Sequence, residues 1–226
     1  MTRDVFVTGG TGYLGQALID ALARRGHRVR ALARPGSESK VPSGAGCVTG
    51  NALDAGTWAA AVPPADTLVH LVGTPHPSPA KAAEFQKVDL PSIRAAVAAA
   101  TAARVAHLIY VSVAHPAPIM HAYIAVRSEG EALIEANHLD ATILRPWYVL
   151  GEGHRWAYAL VPFYALARLI PAWRAGAERL GLVTHDQMIR ALVAAVESPA
   201  RGIRIVEVPE IRGSGLGTRG SEGVAN

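Results

Sequence analysis

The sequence has one cysteine, Cys47, which excludes an internal disulfide and a cysteine-based zinc cluster. Its nine histidines are dispersed, and none falls at metal-ligand spacing, so no metal is expected. An excess of one charge is also missing. Twenty-two basic against eighteen acidic residues leave a net charge of +4, scattered along the chain, which allows an anionic ligand but gives no reason to expect nucleic acid. The first residues lack the apolar core of a signal peptide, and the expectation is a cytoplasmic protein of a reducing compartment. No internal repeat is visible. What is present is a chain of 226 residues, half of them apolar and 18 % charged. That is enough for one domain with a sizeable core, and it excludes whole-chain disorder.

The sharpest pattern lies in the first forty residues. Asp4-Val-Phe-Val-Thr8 reads as a strand and leads directly into Gly9-Gly-Thr-Gly-Tyr-Leu-Gly15. Leu14, Ala17, Leu18, Ala21 and Leu22 then recur at spacings of three and four, which predicts a helix. Gly26 closes it, and Arg28-Val-Arg-Ala-Leu-Ala33 reads as a second strand. A glycine-rich turn between a strand and a helix is the context in which such a turn binds a dinucleotide. Glycines let a pyrophosphate approach the backbone, and the helix N-terminus offers unpaired N–H groups to the phosphates. Gly9, Thr11, Gly12, Tyr13 and Leu14 are the candidate binding residues, the bland alternative being a tight turn without a ligand. The second strand ends at Arg34 with no carboxylate. An acid there would favour NAD(H), whereas a guanidinium can pair with a 2′-phosphate. The expected cofactor is therefore NADP(H) in preference to NAD(H), unless Arg34 is simply a solvated loop residue.

Val7-Thr-Gly-Gly-Thr-Gly-Tyr-Leu-Gly15 resembles the TGxxGxxG fingerprint of the short-chain dehydrogenase/reductase superfamily. The version is that of its extended and atypical branches, which include NAD(P)-dependent epimerases, NmrA-like sensors and a respiratory complex I accessory subunit. The resemblance implies an α/β fold: a Rossmann-type, doubly wound parallel sheet with a small C-terminal substrate lobe. Residues 1–150 would form the NAD(P)-binding domain, 151–212 the lobe that completes it, and 213–226 a disordered tail. It also implies that the loop after the third strand, with Asn51 and Ala52, touches the adenine, Asn51 standing where Asp is common. The end of the Asp66–Val72 strand, with Leu71, Val72 and Gly73, would face ribose and pyrophosphate. The proline-rich Gly73–Pro79 segment is either a substrate loop or a connector.

Further along, Gly56–Val62 reads as a helix capped by Asp54, and Lys81–Ala103 as an alanine-rich helical stretch interrupted by Pro91. His107–Ser112 and Thr142–Arg145 read as strands, with a helix from near His121 to Asn137 between them. Everything from Met1 to Val149 fits one parallel sheet. His185–Val196 reads as an amphipathic helix and Gly202–Val208 as a last strand.

The superfamily commonly uses Tyr-x-x-x-Lys on a helix and a Ser at the end of the fifth strand. The ammonium lowers the phenol pKa so that it can exchange a proton with a carbonyl or alcohol. Here Tyr123-Ile-Ala-Val-Arg127 occupies the pair. Arg127 can hold ribose hydroxyls but lacks a compact ammonium for a proton relay. Tyr123 is either the general acid or a ring stacked beside the nicotinamide. The strand ends put Val113 at the usual serine position, with Ser112 before it. Arg145-Pro-Trp-Tyr-Val-Leu-Gly151 resembles the segment under the nicotinamide, which marks Pro146 and Tyr148; Trp147 and Tyr148 line a pocket or pack in the core. Trp156–Trp173 is strongly apolar but short for a membrane span and broken by Pro162, Arg168 and Pro171. It is a lid, an interfacial contact with lipid or another chain, or core.

Two functions follow. One is an NADP(H)-dependent oxidoreductase acting on a small, fairly apolar carbonyl or alcohol, with Tyr123 and Arg127 as catalytic residues. The other is a non-catalytic NADP(H)-binding sensor or accessory subunit. The expected partner is a small-molecule substrate or none, and the expected state a monomer or homodimer.

Overall fold

The computed structural model describes residues 1–150 and 180–213. The expectations for 151–179, among them the apolar stretch 156–173, and for the tail from 214 lie outside the described residues.

Nine strands and six α-helices make up the described chain: β1 Asp4–Thr8, α1 Tyr13–Arg24, β2 Arg28–Ala33, β3 Ala45–Thr49, β4 Thr67–His70, α2 Ala82–Glu84, α3 Leu90–Ala102, β5 His107–Val111, α4 His121–Ala136, β6 Ala141–Arg145, β7 Tyr148–Leu150, β8 Leu182–Thr184, α5 His185–Glu197, β9 Ile203–Glu207 and α6 Val208–Gly213. Seven strands form one sheet in the order β3-β2-β1-β4-β5-β6-β9, every pairing parallel. The fold is the expected doubly wound α/β sheet. From β1 the chain winds outward through β2 and β3, then crosses back to β4 on the other side. Such a reversal opens a crevice at the carboxyl ends of the two central strands, here β1 and β4.

The strands are apolar on both faces because both are covered. Phe6, Leu68, Leu108, Tyr110 and Ile143 face α3 and α4, with Trp58 and Phe85 completing that layer. Val5, Val7, Val69, Ile109 and Leu144 face α1, α5 and α6. α1 buries Gly15, Leu18, Ile19 and Leu22, so its inward stripe is centred beside the one expected from Leu14, Ala17 and Ala21. The sheet does not end near Val149. β9 pairs with β6 over Ala141–Arg145, and α5 packs in the same layer as α1. The described residues after 180 therefore extend the Rossmann layers, and β7 and β8 form a separate two-stranded parallel sheet.

Two local expectations are corrected. The Gly56–Val62 helix is a pair of 3-10 turns, Ala55–Thr57 and Ala59–Ala61, although Asp54 does cap the first by accepting from the Gly56 N–H. Pro91 does not interrupt the helical stretch. It sits in the first turn of α3, directly after a π-helical turn, Phe85–Asp89, that joins α2 to α3. A proline in a first turn removes no intrahelical hydrogen bond that the helix needs. The wide turn also brings Asp89 to the protein interior.

Candidate functional site

The glycine turn occupies the crevice between β1 and β4. Gly9 has φ +77°, and a Cβ there would lie 2.9 Å from the Leu71 carbonyl carbon. The tight approach of the two strand ends thus requires glycine. A Cβ at Gly15 would lie 2.2 Å from the Gly9 carbonyl oxygen, so α1 packs directly on the turn. The Gly12 N–H donates to the Gly9 carbonyl at 3.0 Å, and no side chain caps α1. Its remaining amides keep the donor capacity that an anion would use.

Two adjoining cavities run along the strand ends. The first, of about 450 Å³, is lined by Gly9, Thr11, Gly12, Arg34, Asn51, Ala52, Leu71, Val72 and Gly73 among others. The second, of about 240 Å³, includes Tyr13, Leu14, Ser112, Val113, Tyr123, Arg127, Pro146 and Tyr148. They share Leu71, Gly73 and Thr74. The candidate cofactor-binding and catalytic residues named from the sequence therefore line these two adjoining cavities.

Within the cleft the side chains differ in how free they are. Arg34 is exposed and lines the first cavity. Asn51 turns its Oδ1 back to accept from the Leu53 N–H at 3.1 Å, which leaves its NH2 for a base edge. The Tyr13 ring is tilted against His185, ring centres 4.3 Å apart. Tyr148 packs on Leu150 and Leu182.

The second cavity rests on two polar networks, one buried and one half-buried, that sequence reasoning missed. Arg127 is only 5 % exposed. Its Nη2 donates to Asp89 Oδ1 at 2.6 Å and its Nη1 to the Val111 carbonyl at 3.1 Å. Asp89 Oδ2 also accepts from the Thr74 N–H and hydroxyl at 3.0 and 2.6 Å. The guanidinium lies 5.0 Å from the centre of the Tyr123 ring, a cation–π distance. Burial disfavours the charge, but Tyr123, Tyr110 and Asp89 around it more than compensate and hold the Arg127 pKa above the ordinary arginine value. A Cβ on Gly73 would strike Arg127 Nη2 at 2.2 Å. Arg127 is therefore a fixed, ion-paired post beside Tyr123 rather than a mobile proton carrier.

The second network ties down the serine. Ser112 Oγ donates to Glu131 Oε1 at 2.5 Å, and Glu131 is also held by Arg145 Nε at 3.0 Å and Nη2 at 2.5 Å. Arg145 continues to Glu207 at 3.1 Å, and His115 Nε2 lies 3.6 Å from Glu131 Oε2. Ser112 thus has its hydrogen directed at a carboxylate, while Val113, 3 % exposed, lines the cavity with its apolar side chain. One clue to Asp89 existed: a buried arginine at the family's lysine position needs a counter-ion. Asp89, however, lies thirty-eight residues before Arg127, and nothing local in the sequence links the two.

Beside these networks, His70 sits between Thr8 Oγ1 at 2.8 Å and Ser92 Oγ at 3.3 Å. Burial, with the Arg127 charge adding to it, drops its pKa to about 3. Burial pushes the Tyr110 phenol up to about 12, against the pull of Arg127. Among the described residues no group of His, Cys, Asp and Glu side chains could hold a metal. Nor is any helix among them long and apolar enough to cross a membrane.

A doubly wound parallel sheet with a glycine turn at its switch point, opening on a cleft, defines a dinucleotide-binding Rossmann body. Comparison with known proteins makes this specific. Residues 9–162 match the family described as NAD(P)H-binding, and the chain belongs to that family, within the short-chain dehydrogenase/reductase superfamily. It is 30 % identical over 220 residues to the ceramide reductase of Caulobacter vibrioides, covering 93 % of this chain and 66 % of that protein. It is 31 % identical over 168 residues to a 4-hydroxy-2-methyl-3-oxo-4-farnesyl-3,4-dihydroquinoline-1-oxide ketoreductase of Stigmatella aurantiaca, covering 65 % of this chain and 50 % of that protein. The chain thus spans half to two thirds of the length of these relatives. The Bordetella bronchiseptica enzyme WbmH, solved in complex with NAD+, superposes with a TM-score of 0.67 at 21 % identity, over 90 % of this chain and 75 % of the other. That likeness shows the fold.

Proposed function

We propose that this chain is the cofactor-binding body of an NADP(H)-dependent reductase that converts a carbonyl of a fairly apolar substrate to an alcohol. The observation that carries the reading is Tyr123 on the wall of a cavity that continues directly from the glycine turn. The names of two relatives, a ceramide reductase and a ketoreductase, support it.

The residues present fit the cofactor. Gly9, Thr11 and Gly12 line the cavity where a pyrophosphate would lie, and Arg34, exposed on the same wall, would pair with a 2′-phosphate. When bound, NADP(H) supplies the hydride. Tyr123 gives its phenolic proton to the carbonyl oxygen as the carbon is reduced, so that no alkoxide has to be released. Arg127 holds the Tyr123 ring and offers its remaining N–H groups to ribose hydroxyls. Pro146 and Tyr148 line the same cavity as Tyr123 and would hold the nicotinamide. Val113 gives no hydroxyl where the family has one, so among the described residues Tyr123 is the proposed donor to the substrate oxygen.

The test is NADPH oxidation across a panel of apolar ketones and aldehydes with the full chain. Tyr123→Phe is expected to lower kcat by about a hundredfold or more, the scale of a lost general acid, with NADPH binding retained. Unchanged turnover in that variant removes the assignment. A second reading, a non-catalytic NADP(H)-binding sensor or accessory subunit, is favoured by Val113 and by the pairing of Arg127 with Asp89. Tight NADPH binding with no turnover on any carbonyl would select it.

A further inference from the structure

A third cavity, of about 350 Å³, meets the cleft at Tyr123, which lines both. One wall is Pro79 and Phe85, from the connection after β4. The other is Pro118, Ile119, Met120 and the first turn of α4, His121 to Tyr123. The Phe85 ring, fully buried, stands 4.9 Å from the Tyr123 ring and forms the floor. Ile119 projects at the lip, 56 % exposed. Among the described residues neither wall contributes a carboxylate, an ammonium or a guanidinium, and the polar side chains are the His121 imidazole and the Tyr123 phenol.

Lys81 and Glu84, the nearest charges in sequence on the first wall, are engaged elsewhere. The Lys81 ammonium donates to the Pro75 carbonyl at 2.7 Å and lies 4.0 Å from Glu84. The prolines at both rims restrict backbone freedom, which lowers the ordering cost of taking up a ligand. A large exposed aliphatic residue at the mouth of a mostly apolar cavity is a poor arrangement for water and a good one for hydrocarbon.

We propose that this groove takes the unbranched hydrocarbon tail of the substrate whose carbonyl is presented to Tyr123. The proposal rests on the reductase reading above and names its substrate class: a long-chain ketone or keto compound. The sharing of Tyr123 by groove and cleft argues for it. Among the described residues the groove shares no lining residue with the cofactor cavity, so a tail lying in it leaves that cavity free. The mostly apolar walls disfavour a charged or sugar-like extension, which would find only His121 and Tyr123 as side-chain polar partners among the described residues.

The test uses the full chain with NADPH and the straight-chain methyl ketones from 2-butanone to 2-dodecanone. kcat/KM is expected to climb by up to about fourfold per added methylene while the tail fills the groove, then to level off. Ile119→Glu at the lip and Ala122→Trp inside it leave 2-butanone turnover at the parent level and cut the long-chain advantage by about tenfold or more. A chain-length advantage that survives in both variants overturns the proposal.

Should no ketone be reduced, the reductase reading falls and the groove is judged separately. A long-chain alcohol carrying a terminal diazirine is photolysed on the protein and the adducts are mapped by mass spectrometry. Adducts within 79–85 or 118–122 that are lost in Ala122→Trp support the groove. Adducts only elsewhere, or none, overturn it.

Discussion

The two cavities that meet at Leu71–Thr74 are built in different ways. The one at the glycine turn is made by backbone: Gly9 and Gly15 bring two strand ends and a helix together, and Arg34 stands on its wall exposed to solvent. The one at Tyr123 is made by side chains locked to one another, Arg127 to Asp89 and Thr74, Ser112 to Glu131 and Arg145. A backbone-built site tolerates neighbouring substitutions but not a Cβ at its glycines. A site built from interlocked charges tolerates isosteric change poorly, because each group is the solvation of another.

Asp89→Leu should produce the largest effect. It leaves the Arg127 guanidinium buried without its carboxylate, and urea denaturation is expected to show a loss of about 3–5 kcal/mol. Conversion of the pair together, Asp89→Asn with Arg127→Lys, should cost less than the sum of the two single changes, with a coupling of about 1–3 kcal/mol. Additivity would show that the two halves of the pair act independently.

Acid should weaken the Tyr123 side next. His70 takes up a proton near 6.5 when unfolded but only near 3 when folded. Between those values the unfolded state binds more protons, so stability falls as pH drops from about 6.5 towards 3. The loss should reach a few kcal/mol. His107, lowered to about 4 chiefly by burial, adds to the slope. Thermal melts of His70→Asn should retain the His107 part and lose the rest.

Gly12→Val probes the other region. A Cβ there meets only the Gly9 carbonyl oxygen, at 3.2 Å, and φ is −86°, so the melting temperature should move little. NADPH affinity by calorimetry should nevertheless fall by about a hundredfold, the scale of one or two lost charge-assisted hydrogen bonds. A large drop in melting temperature would mean that this turn is as interlocked as the Tyr123 side. The smallest effect is expected from Arg34→Ala: NADPH binding weakened by about tenfold with NADH binding unchanged. Equal loss for both coenzymes would remove Arg34 from the 2′-phosphate.

What could be read without coordinates follows the same division. β1, the glycine turn, α1 and β2 were legible because strand, turn and helix follow one another within thirty residues, and each signal is local. The register of Tyr123 and Arg127 was legible as a four-residue helical spacing. The π-helical turn before Pro91 was not, since the same residues read as a broken α-helix. Nor was the use of Arg127, because its counter-ion lies thirty-eight residues away in another element.

By itself the sequence determined the alternation of apolar strands and helices, and with it a parallel sheet, a switch point and a phosphate-binding turn. Those depend on short-range periodicity and on where glycine stands. Only the tertiary structure decided that Arg127 is neutralised by Asp89, that Ser112 is bound to Glu131, and that β9, far along the chain, finishes the sheet beside β6. Pairing of buried charges and strand edges depends on distances in space, and a buried charge takes as partner whatever the fold brings within reach.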